Sequence, residues 1–78
     1  MATKRIYLVS DTREAMQENT HHIKLTQEEA EELFEEMKAD FLENETPEEV
    51  HADEAWEYYC NYDGGTCRIY IEEHEIEL

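Results

Sequence analysis

Apolar residues occur in this chain at two spacings, one of a strand and one of a helix. Arg5-Ile6-Tyr7-Leu8-Val9 is β-branched and aromatic, which predicts a strand near the start. Ile23 and Leu25 alternate with His22 and Lys24, which predicts a second short strand able to pair with the first. The polar residues 10–20 between them read as the loop of a long-looped hairpin.

The helical spacing follows. Thr26 and Glu29 form a T-x-x-E capping box, and Ala30, Leu33, Phe34, Met37 and Phe41 then fall on one helical stripe. Asn44, which tolerates a left-handed terminus, is the expected end. Thr46-Pro47-Glu48-Glu49 repeats the start signal, so a second, short helix is expected from Thr46. Its length is ambiguous over residues 53–62. Ala52, Ala55, Trp56 and Tyr59 share a helical face, while Tyr58, Cys60 and Tyr62 alternate as in a strand.

Asp63-Gly64-Gly65-Thr66 signals a hairpin. With Gly64 and Gly65 as the turn, Tyr62 lies opposite Cys67, Cys60 opposite Ile69 and Tyr58 opposite Ile71. The apolar parity changes between Ile71 and Ile76, implying a bulge or break near residues 72–74. The expected fold is α+β. A small antiparallel sheet of three or four strands, including the C-terminal hairpin, packs against one long acidic amphipathic helix, with a second short helix beside it.

Length allows one domain over residues 1–78, and a chain this short buries a limited fraction of its surface alone, so a homodimer is a further expectation. No run approaches the roughly 20 apolar residues of a membrane span, and residues 1–10 do not form a secretory signal. The expected location is the cytoplasm, with no membrane partner and with Cys60 and Cys67 as reduced, buried thiols.

Charge changes the picture through its placement. The chain has 22 acidic and 6 basic residues, a formal net charge of −16, which argues against direct nucleic-acid binding. Residues 1–25 carry four basic and three acidic residues (+1), residues 26–57 fourteen acids and Lys38 (−13), and residues 58–78 five acids and Arg68 (−4). Glu28, Glu29, Glu31, Glu32, Glu35, Glu36, Asp40 and Glu43 cover the half of the predicted helix opposite its apolar stripe. Like charges four residues apart, such as Glu28 with Glu32, destabilise a helix by about 0.2–0.5 kcal/mol each. At 1.5 Å rise the carboxylates recur roughly every 3 Å, against about 3.4 Å per phosphate along a DNA strand.

Small size, α+β character and this acid-lined segment resemble the phage-encoded DNA-mimic inhibitors of the anti-CRISPR and anti-restriction type. The resemblance is compositional and covers residues 28–57, under half the chain. It implies blockade of the nucleic-acid channel of a host defence nuclease or nucleoprotein. On that reading the partner is a basic nucleic-acid-binding protein, and Glu28, Glu32, Glu35, Glu36, Asp40 and Glu43 stand in for phosphates. Glu48, Glu49, Asp53 and Glu54 extend the track.

Tyr59 and Tyr70, expected opposite each other on the less apolar face of the hairpin, are the best aromatic anchors for a partner. The other reading is an acidic interaction module, an antitoxin or adaptor docking on a basic protein. A charge run is also commonly a plain solvated face, and halophilic acidity would spread over the whole surface rather than spare residues 1–25. The spacings of His21, His22, His51 and His74 fit no standard metal motif, and the chain has no nucleophile elbow, P-loop or Cys-His signature. No enzyme activity, metal or cofactor is therefore expected.

Overall fold

The large apolar side chains of three neighbouring strands point to one side of a sheet, and a helix laid across them closes the core. The structure is a computed structural model that describes residues 2–13, 18–63 and 65–77. Among these residues the order is β1 (Thr3–Arg13), β2 (Glu18–Lys24), α1 (Gln27–Asn44), β3 (Pro47–Glu54), β4 (Glu57–Tyr62) and β5 (Gly65–Glu77). The strands form a single sheet in the order β2-β1-β5-β4-β3, with every neighbouring pair antiparallel.

Register decides which side chains share a face. Val9 opposes Ile71, Ile69 opposes Tyr58, and Cys67 opposes Cys60. These residues, with Tyr7 and Tyr62, are buried beneath Ala30, Phe34 and Phe41 of α1. Trp56, in the turn between β3 and β4, sets its ring edge-on to Tyr7 at 6.0 Å. Phe41 is the far anchor of the helix, with its ring centroid 5.2 Å from Tyr62 and 6.2 Å from Tyr58.

The helix begins where its cap predicts. Thr26 Oγ1 accepts a hydrogen bond from the Glu29 amide at 3.2 Å, a cap worth about 1 kcal/mol. Asn44 is the last helical residue, but not through a left-handed turn. Its Nδ2 donates to the Asp40 carbonyl at 2.8 Å, and Glu45 leaves in extended conformation with its amide still bonded to Phe41.

Several expectations are corrected. The sheet has five strands rather than three or four, and residues 47–54 are an edge strand rather than a second helix. Extension spaces Glu48, Glu49, Asp53 and Glu54 at about 3.3 Å per residue instead of 1.5 Å, which relieves the like-charge pair Glu49/Asp53 that a helix would create. It also pairs the backbone edge of β4, whose Tyr58, Cys60 and Tyr62 are buried. Pro47 is then the first residue of a strand, a position that needs no amide donor. Residues 53–62 are strand on both sides of the turn at Ala55 and Trp56.

The segment expected as a loop, residues 10–20, instead extends both strands, Ser10 pairing with His21 and Arg13 with Glu18. Residues 14–17 of that expectation lie outside the described residues. At the C-terminal hairpin Tyr62 pairs with Gly65 and Cys60 with Cys67, two residues tighter than expected. Gly65 has φ 126°, the positive φ that glycine supplies at no steric cost, while Gly64 lies outside the described residues. The shift is even, so the apolar face survives it. No bulge occurs at residues 72–74, because β5 pairs with β1 without interruption from Cys67 to Glu77, and Ile76 lies on the face opposite Ile71.

Phe41→Ala should lower unfolding free energy by about 3–5 kcal/mol, whereas Leu42→Ala, at an exposed neighbouring position, should change it by under about 0.5 kcal/mol. Urea denaturation of both variants checks this, and equal losses would contradict the packing described.

Candidate acidic interface

The apolar stripe of α1 faces the sheet, so its opposite half carries the acids outward. Glu28, Glu29, Glu32, Glu35, Glu36, Asp40 and Glu43 are exposed, and Glu31 is half-buried, accepting a bond from Gln27 Nε2 at 2.9 Å. Among the described residues a cation lies within 4.0 Å of one of these eight carboxylates, Arg13 at 3.9 Å from Asp40. The sole cation of α1, Lys38, turns away from the row. Its Nζ reaches Asp53 of β3 at 2.6 Å and sits 5.3 Å from the centre of the Tyr58 ring.

The remaining expected site residues divide into two groups. Glu48, Glu49 and Glu54 are exposed on β3, the edge strand reached from the end of α1 through residues 45–46. Asp53, on the same strand, is engaged by Lys38 and so is partly neutralised. Tyr59 and Tyr70 lie on the other face of the sheet, away from α1, because β4 and β5 place them between the buried positions. They are diagonal neighbours rather than directly opposite, since Tyr59 pairs with Arg68 and Tyr70 with Glu57. Arg68 lies over the Tyr70 ring at 4.3 Å and bonds Glu57 at 2.7 Å. One flat partner therefore cannot touch the acidic row and the two tyrosines together.

Sequence reasoning missed the pair Asp11 and Arg13, which lay inside the expected loop. Both occupy helix-facing positions, opposite Ile69 and Cys67. The Arg13 guanidinium bonds both Asp11 oxygens at 3.1 and 3.2 Å and lies 5.2 Å from the Phe41 ring. Burial works against its charge, but the Asp11 bonds and charge outweigh burial and hold its pKa above the usual value. The pair caps the end of the core beside Asp40.

Cys60 and Cys67 are free, buried and directly opposed. Burial, with the Asp11 charge second, pushes the Cys67 thiol up to about 12, and burial likewise raises Cys60. Burial followed by a hydrogen bond with Cys60 pushes Tyr58 to about 12. A depression of about 240 Å³ between β2 and α1 is lined by Lys24, Glu29, Glu32, Leu33 and Glu36. Among the described residues no group of three His, Cys, Asp or Glu side chains is arranged to hold a metal ion. No described helix is long and apolar enough to cross a membrane.

No protein-family model, no curated protein and no solved structure matches this chain.

The neutral thiol of Cys67 stabilises the fold fully below its ordinary value of 9.0, and that stability is lost as pH rises through about 12. Urea midpoints should therefore fall above pH 9.0, less steeply in Cys67→Ala, with Cys60, Tyr58 and Tyr62, all raised by burial, sustaining the remaining slope. Both thiols should be silent to Ellman's reagent in the folded protein and titrate after unfolding. Rapid reaction of either thiol in the native state would contradict their burial.

Proposed function

We propose that this protein is a non-enzymatic inhibitor whose acidic helix α1 occupies the nucleic-acid site of a basic host protein, in the manner of anti-CRISPR and anti-restriction proteins. What supports the reading is the exposed carboxylate row from Glu28 to Glu43, which Lys38 leaves in order to pair with Asp53. Those charges are anchored at helix spacing on a rigid element, so no backbone has to order on contact. The glutamate side chains still lose rotamer freedom on binding, and a basic groove that accepts them releases its own counterions. Glu48, Glu49 and Glu54 extend the row along the β3 edge, and Asp53 contributes less because Lys38 already engages it.

A stable fold tolerates this surface because the row is confined to one side. Each like-charge neighbour at four-residue spacing costs about 0.2–0.5 kcal/mol, a loss that the buried stripe of Ala30, Phe34 and Phe41 offsets. The second reading, an acidic module docking on a basic protein without displacing nucleic acid, draws its support from Tyr59 and Tyr70. Their sheet face suits a protein contact separate from the acidic row.

Glu32, Glu36 and Glu43 project within about 40° of one another on α1, and among the described residues none has an ion-pair partner. Replacing all three with Lys should leave the fold intact by circular dichroism and abolish capture of the basic partner from host lysate. Added duplex DNA or RNA should displace the wild-type protein from that partner. Capture that survives both the triple variant and excess nucleic acid would sink the proposal and favour docking through the Tyr59 and Tyr70 face, and capture lost in the variant yet unmoved by nucleic acid would replace mimicry with plain docking of the acidic row on a basic protein.

A further inference from the structure

The sheet has two faces and α1 covers one. Register places Asn19, His21 and Ile23 of β2 on the other, beside Ile6, Leu8 and Thr12 of β1. Tyr70 and Ile76 of β5 and Tyr59 of β4 continue that face. No described element packs over it. Ile23 is 64% exposed and Ile76 40% exposed, well outside the core.

The chain is most nearly neutral on this open face. Over β2, β1, β5 and β4 it carries Lys4 and Arg68 against Glu57 and Glu72, and Arg68 bonds Glu57 at 2.7 Å. His74 meets Glu72 at 3.0 Å on the same face. The acids Glu49 and Glu54 are added only at the β3 margin. Ser10, fully buried although on this face, exchanges a hydrogen bond with His21 Nδ1 at 2.8 Å.

A second observation concerns the far end of β1 and β5. Beyond Tyr7 and Glu73 those strands continue as a two-stranded ribbon to Thr3 and Glu77, with no other strand beside them. Such ribbons are marginal in water unless something packs on them. Thr3, Arg5, Glu73, Glu75 and Glu77 face the helix side, while Ile6 and Ile76 face the open side. The apolar residues of the ribbon thus extend the open face of the sheet.

We propose that a second copy of this chain covers the open face, two sheets stacking back to back about a twofold axis. Charge selects this arrangement over the others. Stacked sheets lie about 10 Å apart, and a helix layer adds about 10 Å on each side, so the two acidic helices end up roughly 30 Å apart on opposite outer surfaces. That is nearly four Debye lengths of about 8 Å at physiological salt, so their repulsion is screened. Contact through α1 would instead press two acidic rows together. Contact through β3 is blocked by Pro47, by exposed carboxylates and by two register irregularities, features that keep sheet edges from pairing.

Area agrees with the assignment. Strand lengths at about 3.3 Å per residue and about 4.8 Å per strand give an open face of roughly 700 Å². A standard specific interface buries about 800 Å² per partner. A twofold stack is self-complementary, so each copy supplies Ile23, Tyr70 and Ile76 to its partner. The inference stands apart from nucleic-acid mimicry, since it concerns the opposite face, and it gives the dimer two outward acidic rows.

The test uses the full chain at high micromolar concentration in sedimentation equilibrium. The wild type should weigh twice the 9.4 kDa chain. The double variant Ile23→Lys/Ile76→Lys should fall to a single chain with an unchanged circular dichroism spectrum. Added lysines reduce the net negative charge, so general repulsion cannot account for that loss. Leu42→Lys, at a 42% exposed apolar position on α1, should remain a dimer. Isotope-filtered NOEs on the unmutated protein should connect Ile23, Tyr70 and Ile76 between copies, which keeps the test sound if the double variant unfolds. A monomeric wild type, a dimeric double variant, loss of the dimer in Leu42→Lys, or contacts between copies only along the β2 backbone edge would each overturn the proposal.

Discussion

The packing of α1 across one face of the sheet is the contact on which the rest of the molecule depends. Phe34 and Phe41, both fully buried, close the space over Val9, Ile69, Cys60 and Cys67. Among the described residues no other helix is present to cover those side chains. A helix with this duty must keep an apolar stripe of about 100° or more, and the opposite half is then free to carry any residue that water accepts. In this chain it carries carboxylates almost without interruption. The amphipathic helix therefore ties stability to charge placement, because the stripe that builds the core also fixes which way the acids point.

The remaining charges are arranged around that division. Lys38 leaves the acidic row to hold the β3 edge through Asp53, and Arg13 is drawn into the core margin by Asp11 and the Phe41 ring. The exposed Lys38–Asp53 pair contributes about 0–1 kcal/mol, and the Arg13–Asp11 pair is part-buried, but the shared consequence of the two is positional. They remove cations from the surface on which the acids are displayed. On the sheet's other face Arg68 and His74 answer Glu57 and Glu72, and the local balance is close to neutral.

What could be read from the sequence follows the range of the interaction concerned. The cap at Thr26, the stripe from Ala30 to Phe41 and the end at Asn44 are local, and all three positions hold. The second helix expected at Thr46 also rested on a local signal, but tertiary pairing overrode it. The backbone edge of β4 needs a partner, and Glu48, Glu49, Asp53 and Glu54 repel less in an extended chain. Residues 10–13 hid their strand because Asp11 and Arg13 are polar yet occupy inward positions, an alternation visible only once Ile69 and Cys67 lie opposite them. The glycine hairpin was legible, though its register was two residues tighter. For the candidate surface, exposure of the helix acids followed from the stripe. The location of Tyr59 and Tyr70 on the far side of the sheet required knowing which face α1 covers.

The central claim is that the outer half of α1 is the surface that meets the partner. Carbodiimide-driven labelling of carboxylates, read by peptide mass spectrometry in the free and partner-bound protein, tests it most directly. The account predicts that Glu28, Glu32, Glu35, Glu36 and Glu43 lose reactivity on binding while Glu57 and Glu72, on the opposite face of the sheet, keep theirs. Protection of Glu57 and Glu72 with an unchanged helix row would contradict it.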